Sequence, residues 1–418
     1  MDTRPSIGPG MTGHRQLAAL LAGVVLASPA AAREKVVRMT LGPFRIEANR
    51  DREVCQAVRV PSVPGMEITS WEVRSRTSRG GKVGSHHMVV YGYRGADAAA
   101  FPHARSRRDL VDIPGCNGFG PADFFRTRVQ LAGSGGENSR GNWLVTRGTT
   151  PLGLATLLPN STDAPHDAVV VLNSHYFNGS PKPARGLVRV ILHLAPYDGK
   201  KRVVRNVVAI DASHDIDVPP GAVGVVSATW QADGTPDEAS EGGMKPDHDV
   251  CVLYLTTHTH KRGTHFTITY EEDGKGPVTL LDPASYDYLH PPLVALPVSG
   301  PLPDGNLLRA YTAENGHPRL RYTCTHANGM LGLPEKSGCE EEAGITPGAK
   351  WGDRASYSPA RPCGQDGVNC AGFGTGRCVD ANLVFGPLSD DDMCIVPAAI
   401  YDPTPGAPPE TACDPYAF

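Results

Sequence analysis

The sequence predicts an all-β protein with two antiparallel β-sandwich, or jelly-roll-like, domains. Short segments with alternating or β-branched apolar residues, such as "DAVVVLNSHYF", "GLVRVILHL" and "DVCVLYLTTHTH", are typical of strands. Clusters of Gly, Pro, Asn and Asp, such as "NGSPKPARG" and "EEDGKGP", separate these segments as hairpin turns and loops do. The length of 418 residues allows more than one hydrophobic core.

The first 32 residues are predicted to be a secretory signal peptide. Basic Arg4 and Arg15 precede the apolar run "LAALLAGVVLA", and "SPAAAREK" offers an A-x-A cleavage site after Ala32. The apolar run is shorter than the ~18 residues that a membrane-spanning helix needs. We therefore expect a secreted or periplasmic protein without a membrane span.

Two domains are expected to follow, an N-terminal domain over residues 33–205 and a C-terminal domain over residues 206–418. The segments "YDGKKRVVRN" and "DVPPG" bracket the boundary between them. Residues 329–384, which include "GQDGVNCAGFGTGRC", are rich in Gly and Cys and have little strand character. We expect this stretch to be a disulfide-stapled insertion in the second domain.

Charge and motifs narrow the range of partners. A formal net charge of -4 favours neither a nucleic-acid surface nor an acidic tail. The sequence has no P-loop, dinucleotide fingerprint or G-x-S-x-G elbow. Ten cysteines in an exported chain favour disulfide bonds. If the halves fold separately, Cys55 and Cys116 have only each other as partners, because all other cysteines follow residue 250.

The most informative residues are histidines. In "HTHKRG", His258 and His260 are two positions apart, so on a strand they lie on one face and can bind one ion. A pair of half-exposed strand histidines is an equally good interpretation of that motif. In "GSHHMVVYG", His86 and His87 are adjacent, so joint ligation needs a strand end, a bulge or different ring nitrogens. His175 in "LNSHYFN", taken alone, is typical of a buried core histidine.

The motifs "HHMVVYG", "SHYFN", "HTHKRG" and "DDMC", in this order along the chain from about Val54 to Tyr401, resemble the copper type II ascorbate-dependent monooxygenases. This is the family of peptidylglycine alpha-hydroxylating monooxygenase and dopamine beta-monooxygenase. The resemblance implies two copper-binding β-domains that face each other across an open, solvent-filled cleft. It also implies a reaction in which ascorbate, or another one-electron reductant, and O2 hydroxylate an aliphatic C–H of a small-molecule substrate.

The resemblance also implies which residues hold the two coppers. His86, His87 and His175 would form the electron-transfer copper site. His258, His260 and Met393 would form the catalytic, oxygen-activating site. A thioether is a soft ligand and favours Cu(I), so Met393 suits the copper that reacts with O2.

Cysteine pairs are implied in the same way. Cys324 and Cys394 match a pair that is disulfide-linked in the animal enzymes, and Cys413 stands near the position of another family cystine that would pair with Cys251. The remaining cysteines would form two local bridges inside the insertion, and they are Cys339, Cys363, Cys370 and Cys378.

In peptidylglycine alpha-hydroxylating monooxygenase, the peptide-processing enzyme of the family, side chains at three positions hold the substrate's carboxylate, and this chain differs at all three. This chain has Thr256, Ile395 and Pro397 at those positions. The loss of an arginine fork argues against a carboxylate-bearing substrate, and the apolar replacements favour a neutral or aromatic one. An exported copper-binding or storage protein without turnover is the main alternative function. A third interpretation makes the insertion a surface-recognition module on a sandwich scaffold.

Overall fold

The computed structural model describes most of the chain after residue 33. The predicted signal peptide lies outside the described residues. No helix in the described part is long and apolar enough to cross a membrane. The described residues are 34–48, 50–61, 65–78, 83–95, 97–101, 110–112, 120–121, 124–135, 143–158, 167–178, 182–219, 222–233, 246, 248–260, 262–288, 291–328, 339–340, 361–362, 377–380, 383–385 and 392–415.

Strands dominate the first half of the chain. One short helix, α1 (Phe124–Thr127), and a 3-10 turn at Ala98–Ala100 accompany them. The strands are β1 (Lys35–Ile46), β2 (Arg50–Pro61), β3 (Met66–Thr77), β4 (Val83–Tyr93), β5 (Val111–Asp112), β6 (Arg128–Gly135), β7 (Leu144–Thr149), β8 (Leu154–Leu157), β9 (Asp167–Asn178), β10 (Ala184–Pro196) and β11 (Arg202–Val203).

The second half has the same character. It contains helix α2 (Pro409–Ala412) and 3-10 turns at Asp211–Asp215 and Ala313–Asn315. Its strands are β12 (Arg205–Ala209), β13 (Asp217–Val218), β14 (Ala222–Trp230), β15 (Val250–Thr256), β16 (Gly263–Glu271), β17 (Val278–Leu281), β18 (Leu293–Ala295), β19 (Leu307–Leu308), β20 (Arg319–Asn328), β21 (Cys339–Glu340), β22 (Arg361–Pro362), β23 (Arg377–Asp380), β24 (Leu383–Val384) and β25 (Val396–Tyr401).

The first sandwich packs two sheets on one core. Its outer sheet has the order β1-β10-β3-β8-β11, with β7 also paired to β3, and its inner sheet has the order β5-β2-β9-β4-β6. Side chains alternate along each strand, so one face of β9 enters the core and the other faces away from it. Val170, Leu172 and Tyr176 pack in that core. Asn173 and His175 therefore lie on the opposite face of the inner sheet.

The second sandwich repeats this plan. Its inner sheet has the order β12-β25-β15-β18, with β19 also paired to β15, and its outer sheet has the order β14-β20-β16-β17. Val252, Phe266 and Ile400 are fully or almost fully buried in the core between them. Two smaller sheets, β13-β24 and β21-β23-β22, belong to the second half, and the latter lies within the predicted insertion. The predicted all-β sandwich fold is confirmed.

The division between the sandwiches falls where the strand partners change. β11 ends at Val203 and pairs with β8 of the first half, whereas β12 begins at Arg205 and pairs with β25 of the second. Glu34–Phe418 nevertheless form one compact unit. The domain limits at residues 205 and 206 stay a prediction.

Contacts from the C-terminal segment and β12 join the two sandwiches. Arg202 donates hydrogen bonds to the carbonyl oxygens of Ala412 and Asp414 at 2.9 and 2.6 Å. Asn206 Nδ2 donates to the Gln130 carbonyl at 2.7 Å. A small apolar cluster includes residues from both halves, with Leu154 and Val204 packed near Tyr401 and Cys413. These contacts hold the two inner sheets face to face.

Disulfide bonds fix several of these elements. The described bridges are Cys251–Cys413 and Cys324–Cys394, the two pairings that the family resemblance implies. Cys55 is also disulfide-bonded, and Cys116, its predicted partner, lies outside the described residues. Because Cys251 lies in β15 and Cys413 follows α2, the first bridge ties the C-terminal segment to the inner sheet.

Candidate metal centre

The first pair of histidines lies on the inner sheet of the first sandwich. His87 on β4 is directly opposite His175 on β9, and His175 is directly opposite Glu53 on β2. Residues that face each other across neighbouring strands project from the same side of a sheet. The ring centroids of His87 and His175 are 5.4 Å apart, with the ring planes at 70°.

A β-bulge occurs at the adjacent histidine, His86. The pairing of β4 with β9 passes from Ser85–Tyr176 to His87–His175, so His86 is an extra residue on β4. Bulges next to a site re-aim side chains, and a bulge is one of the geometries that joint ligation by adjacent histidines requires. The side chain of His86 is outside the part of the chain that the structure describes.

The second pair lies in the connection between β15 and β16, which corrects the prediction of a strand there. β15 ends at Thr256, and His258 then forms an isolated bridge with Ile395. His258 N donates to the Ile395 carbonyl at 2.9 Å, and Ile395 N donates back at 3.1 Å. The rings of His258 and His260 still meet, with centroids 5.3 Å apart at 87°.

The two pairs lie against each other. The ring centroids of His87 and His258 are 6.1 Å apart, and those of His175 and His260 are 6.5 Å apart. Four histidines from two sandwiches thus form one cluster, which we call the histidine cluster. This differs from the open, solvent-filled separation that the resemblance implies. The ring spacings of 6.1 and 6.5 Å between the pairs leave no open cleft between these histidines.

The ring spacings can be compared with those of shared metal ligands. A transition-metal ion lies about 2 Å from a coordinating imidazole nitrogen, so two rings on one ion have centroids about 5 Å apart at a tetrahedral angle and roughly 6.4 Å apart when the two nitrogens lie on opposite sides of the ion. The spacings within the pairs, 5.4 and 5.3 Å, fit a shared ion at a tetrahedral angle. The spacings between the pairs, 6.1 and 6.5 Å, lie near the linear limit. The ring spacings therefore favour one ion for each pair over one ion between the pairs.

Each pair needs a further ligand to complete a site. Within the described residues, no three His, Cys, Asp or Glu side chains already surround one ion position. The third predicted ligand of the first set is His86, whose side chain is not described, and that of the second set is the Met393 thioether. The described imidazole pairs are compatible with both predicted sets.

Asp392 joins the second pair to Met393. Its Oδ1 accepts hydrogen bonds from the backbone N–H of His260 at 2.7 Å and of Met393 at 2.8 Å. Its Oδ2 lies 3.2 Å from His326 Nδ1, and both side chains are fully buried. The Cys324–Cys394 bridge links β20, which carries His326, to the residue after Met393. One carboxylate oxygen thus holds two of the three predicted ligands in place.

Polar neighbours support the first pair as well. His87 Nε2 lies 3.3 Å from Asn173 Oδ1, and Asn173 Nδ2 donates to Glu53 Oε1 at 2.7 Å. With Nε2 directed at Asn173, a metal held by His87 would be bound through Nδ1. Burial raises the pKa of Glu53, but His87 and His175 outweigh it, so the pKa lies below its usual value. Glu53 is therefore a buried carboxylate beside two imidazoles.

His258 has the protonation state that metal binding requires. Burial lowers the pKa of His258 well below its usual value, and the neighbouring His260 and His87 lower it further. A neutral imidazole has a lone pair for a metal, whereas an imidazolium has none. His258 is therefore neutral at physiological pH.

Sequence reasoning missed the supporting residues. Glu53, Asn173 and Asp392 carry no spacing signal, although Asp392 directly precedes Met393 in "DDMC". His326 carries no signal beyond its position two residues after Cys324. His265, which follows the HTH motif, is outside the cluster, and its Nε2 lies 3.0 Å from the Asp282 carboxylate.

A cavity of about 750 Å³ lies between the two inner sheets. His87, His258 and Met393 contribute to its wall. Thr256, Ile395 and Pro397, the positions at which the sequence departs from the peptide-processing enzyme, also line it. Three of the candidate ligands and the three positions that differ from the peptide-processing enzyme therefore line the same cavity.

Comparison with known proteins adds no functional assignment. No family model matches the chain, and no curated protein matches it. Among solved structures, the PBSX exported protein XepA is 8% identical, with 69% of this chain and 86% of that chain covered and a TM-score of 0.18. A Macrobrachium rosenbergii nodavirus structure is 11% identical, with 78% and 98% covered and a TM-score of 0.21. Likenesses at these scores carry no conclusion about function.

Proposed function

We propose that this chain is an exported copper-dependent monooxygenase, which hydroxylates an aliphatic C–H of a small organic substrate with O2 and ascorbate or another one-electron reductant. The observation that carries the proposal is the histidine cluster. Two imidazole pairs, one from each sandwich, meet at the wall of a cavity that Met393 also lines. The motifs that resemble the copper monooxygenases thus converge on one place.

The donor set favours copper over other metals. The predicted ligands are five imidazoles and one thioether, with no thiolate, since no described cysteine is free. Hard ions such as Mg²⁺ and Ca²⁺ prefer oxygen ligands, zinc gains little from a thioether, and Cu(I) accepts both imidazole and thioether. Bound copper supplies the one-electron redox chemistry that O2 requires.

The reaction balances with two external electrons. One oxygen atom of O2 enters the C–H bond to form an alcohol, and the other leaves as water. Two ascorbate molecules give one electron each, and two protons complete the water. The chain's own residues position the ligands: Asp392 holds His260 and Met393, while Asn173 and Glu53 hold His87.

Copper stoichiometry is the first test. Purified protein, loaded with copper and dialysed, is expected to hold two coppers per chain, and the His258→Ala variant is expected to hold one. The matched control is His265→Ala, which removes a half-buried histidine that pairs with Asp282 outside the cluster, and this variant should keep two coppers. A parent protein with one copper or none contradicts the proposal.

Turnover separates the enzyme from a copper-binding or storage protein. Ascorbate-dependent O2 consumption that requires an organic co-substrate supports the monooxygenase, and Met393→Ala should abolish it while the fold is retained. Two bound coppers without hydroxylation across a broad substrate panel favour the storage function.

Export is part of the same proposal. The described disulfides support it, because such bonds form and persist in oxidising compartments. N-terminal sequencing of the mature protein is expected to begin at Arg33. A mature protein that retains residues 1–32 contradicts the predicted cleavage.

A further inference from the structure

The cavity between the inner sheets has the size of a small-molecule site. Its volume of about 750 Å³ falls within the roughly 300–1,000 Å³ that is typical of ligand pockets. His87, from the first sandwich, and His258 and Met393, from the second, share its wall. A molecule in the cavity therefore lies against both halves of the candidate metal centre.

Apolar and aromatic side chains form much of the cavity wall. Both inner sheets contribute them, and they come from strands whose other faces fill the two sandwich cores. Representative members are Tyr91, Val171, Val208, Leu253, Tyr254 and Ile395.

The cavity wall carries few charged side chains. Apart from histidines, the described lining residues with a charge are Glu53 and Arg128. The Arg128 guanidinium lies over the Tyr91 ring, 5.0 Å from its centroid. Glu53 Oε1 accepts a hydrogen bond from Asn173, and its side chain is 9% exposed. The other described lining residues are neutral apart from the histidines.

Several neutral polar groups of the wall are also paired within the protein. Tyr254 Oη donates to Asn206 Oδ1 at 3.0 Å, and Asn206 Nδ2 donates to the Gln130 carbonyl. Thr256 Oγ1 donates to the Pro292 carbonyl at 2.9 Å. A charged ligand that lay against this neutral part of the wall would lose its hydration without a matching partner. An uncharged ligand would lose much less.

We propose that this cavity binds an uncharged small molecule with an aromatic or alicyclic body, recognised by apolar contact rather than by a salt bridge. The assignment of that molecule as a substrate rests on the proposed function. Its binding does not, because the cavity wall is built by the sandwiches themselves.

Matched ligands test the charge preference. Binding of 3-phenylpropanamide, 3-phenylpropanoate and 3-phenylpropylamine, and of the three cyclohexyl analogues, is measured by calorimetry with the copper-free full-length mature protein. These ligands share one body and differ in charge. We expect the amide of at least one series to bind at least ten-fold more tightly than its acid and its amine.

A cavity-filling variant locates the site. Val208 lies on β12 with its side chain in the cavity wall, so Val208→Trp is expected to abolish amide binding. Val225→Trp is the matched control, because Val225 is 64% exposed and lies on the outer sheet. It should leave the affinity unchanged.

Three results would overturn the inference: equal or tighter binding of the acid or the amine, binding of none of the six ligands, or amide binding that survives Val208→Trp. The copper-free format separates this test from that of the proposed function. A protein that binds the amide but holds no copper retains the cavity assignment and loses the monooxygenase. A protein that holds two coppers but shows no preference among the ligands retains the proposed metal centre and loses the cavity assignment.

Discussion

Asp392 provides the sharpest test of how the second ligand set is held. Its carboxylate is fully buried, accepts two backbone hydrogen bonds and lies 3.2 Å from His326. Asp392→Ala leaves two amides without their charged acceptor. A hydrogen bond to a charged group contributes about 1.5–3 kcal/mol, so the loss of two such bonds costs roughly 3–6 kcal/mol. We expect the free energy of unfolding to fall by about 4 kcal/mol.

Asp392→Asn separates charge from geometry. The amide oxygen can still accept from His260 N and Met393 N, so most of the backbone arrangement is kept. Hydrogen bonds to a neutral acceptor are weaker than those to a carboxylate, and we expect a loss of about 1–2 kcal/mol. Urea unfolding of the copper-free variants measures both values.

Asp402→Ala is the matched control. This exposed carboxylate pairs with Arg205 and His248 at the surface, and its side chain is 62% exposed. Exposed ion pairs contribute at most about 1 kcal/mol. The role of Asp392 in holding the second ligand set would be refuted if the free energy of unfolding of Asp392→Ala lay within about 1 kcal/mol of the parent value. It would also be refuted if Asp392→Ala lost no more stability than Asp402→Ala.

Copper binding gives a second readout of the same variant. Loss of a residue that orients metal ligands typically weakens metal affinity about 10- to 100-fold. Because Asp392 contacts His260 and Met393, we expect one of the two proposed coppers to be weakened in Asp392→Ala and the other to be retained. Equal weakening of both coppers would mean that Asp392 acts on the fold and not on one ligand set.

Three further predictions concern a disulfide bond, the attachment of the C-terminal segment and the spacing of the two histidine pairs. Replacing Cys324 and Cys394 by Ser removes a bridge across 70 residues, which the chain-entropy relation values at about 4 kcal/mol, and urea unfolding measures the loss. Arg202→Met removes the two hydrogen bonds to Ala412 and Asp414, so limited proteolysis is expected to cleave the C-terminal segment faster, whereas unchanged cleavage would contradict the role of Arg202. In the protein loaded with two Cu(II), rings of the two histidine pairs are in contact, so the two ions are expected to interact magnetically. The electron paramagnetic resonance signal should then account for fewer spins than the bound copper, and a signal that accounts for all of the copper would mean that the ions are separated.

Much of the fold was predictable because strand patterns are local. In β9, the alternation of apolar residues with Asn173 and His175 encodes which side faces the core. The same local rule placed the HTH motif in a strand and was wrong there. Thr and His alternate at residues 257–260 as in a half-buried strand, but beyond the bridge at His258 the backbone N–H of His260 bonds to the Asp392 carboxylate instead of to a neighbouring strand.

The closed histidine cluster was not predictable from motif spacing. His87 and His258 are separated by 171 positions in the chain, and each motif specifies only its own pair. Their contact depends on how the sandwiches dock, through residues such as Arg202 and Asn206 that carry no recognisable pattern. Family resemblance could supply a ligand list, but the distance between the ligand sets is a property of the interface.

That dependence links ligand binding in the shared cavity to docking of the two sandwiches. An ion that contacts rings of one pair only gains nothing from the other sandwich. A molecule in the cavity differs, because residues of both sandwiches form the cavity wall. A ligand that binds one state preferentially stabilises that state by mass action. A molecule in the cavity should therefore stabilise the docked arrangement, whereas an ion held by one histidine pair should not.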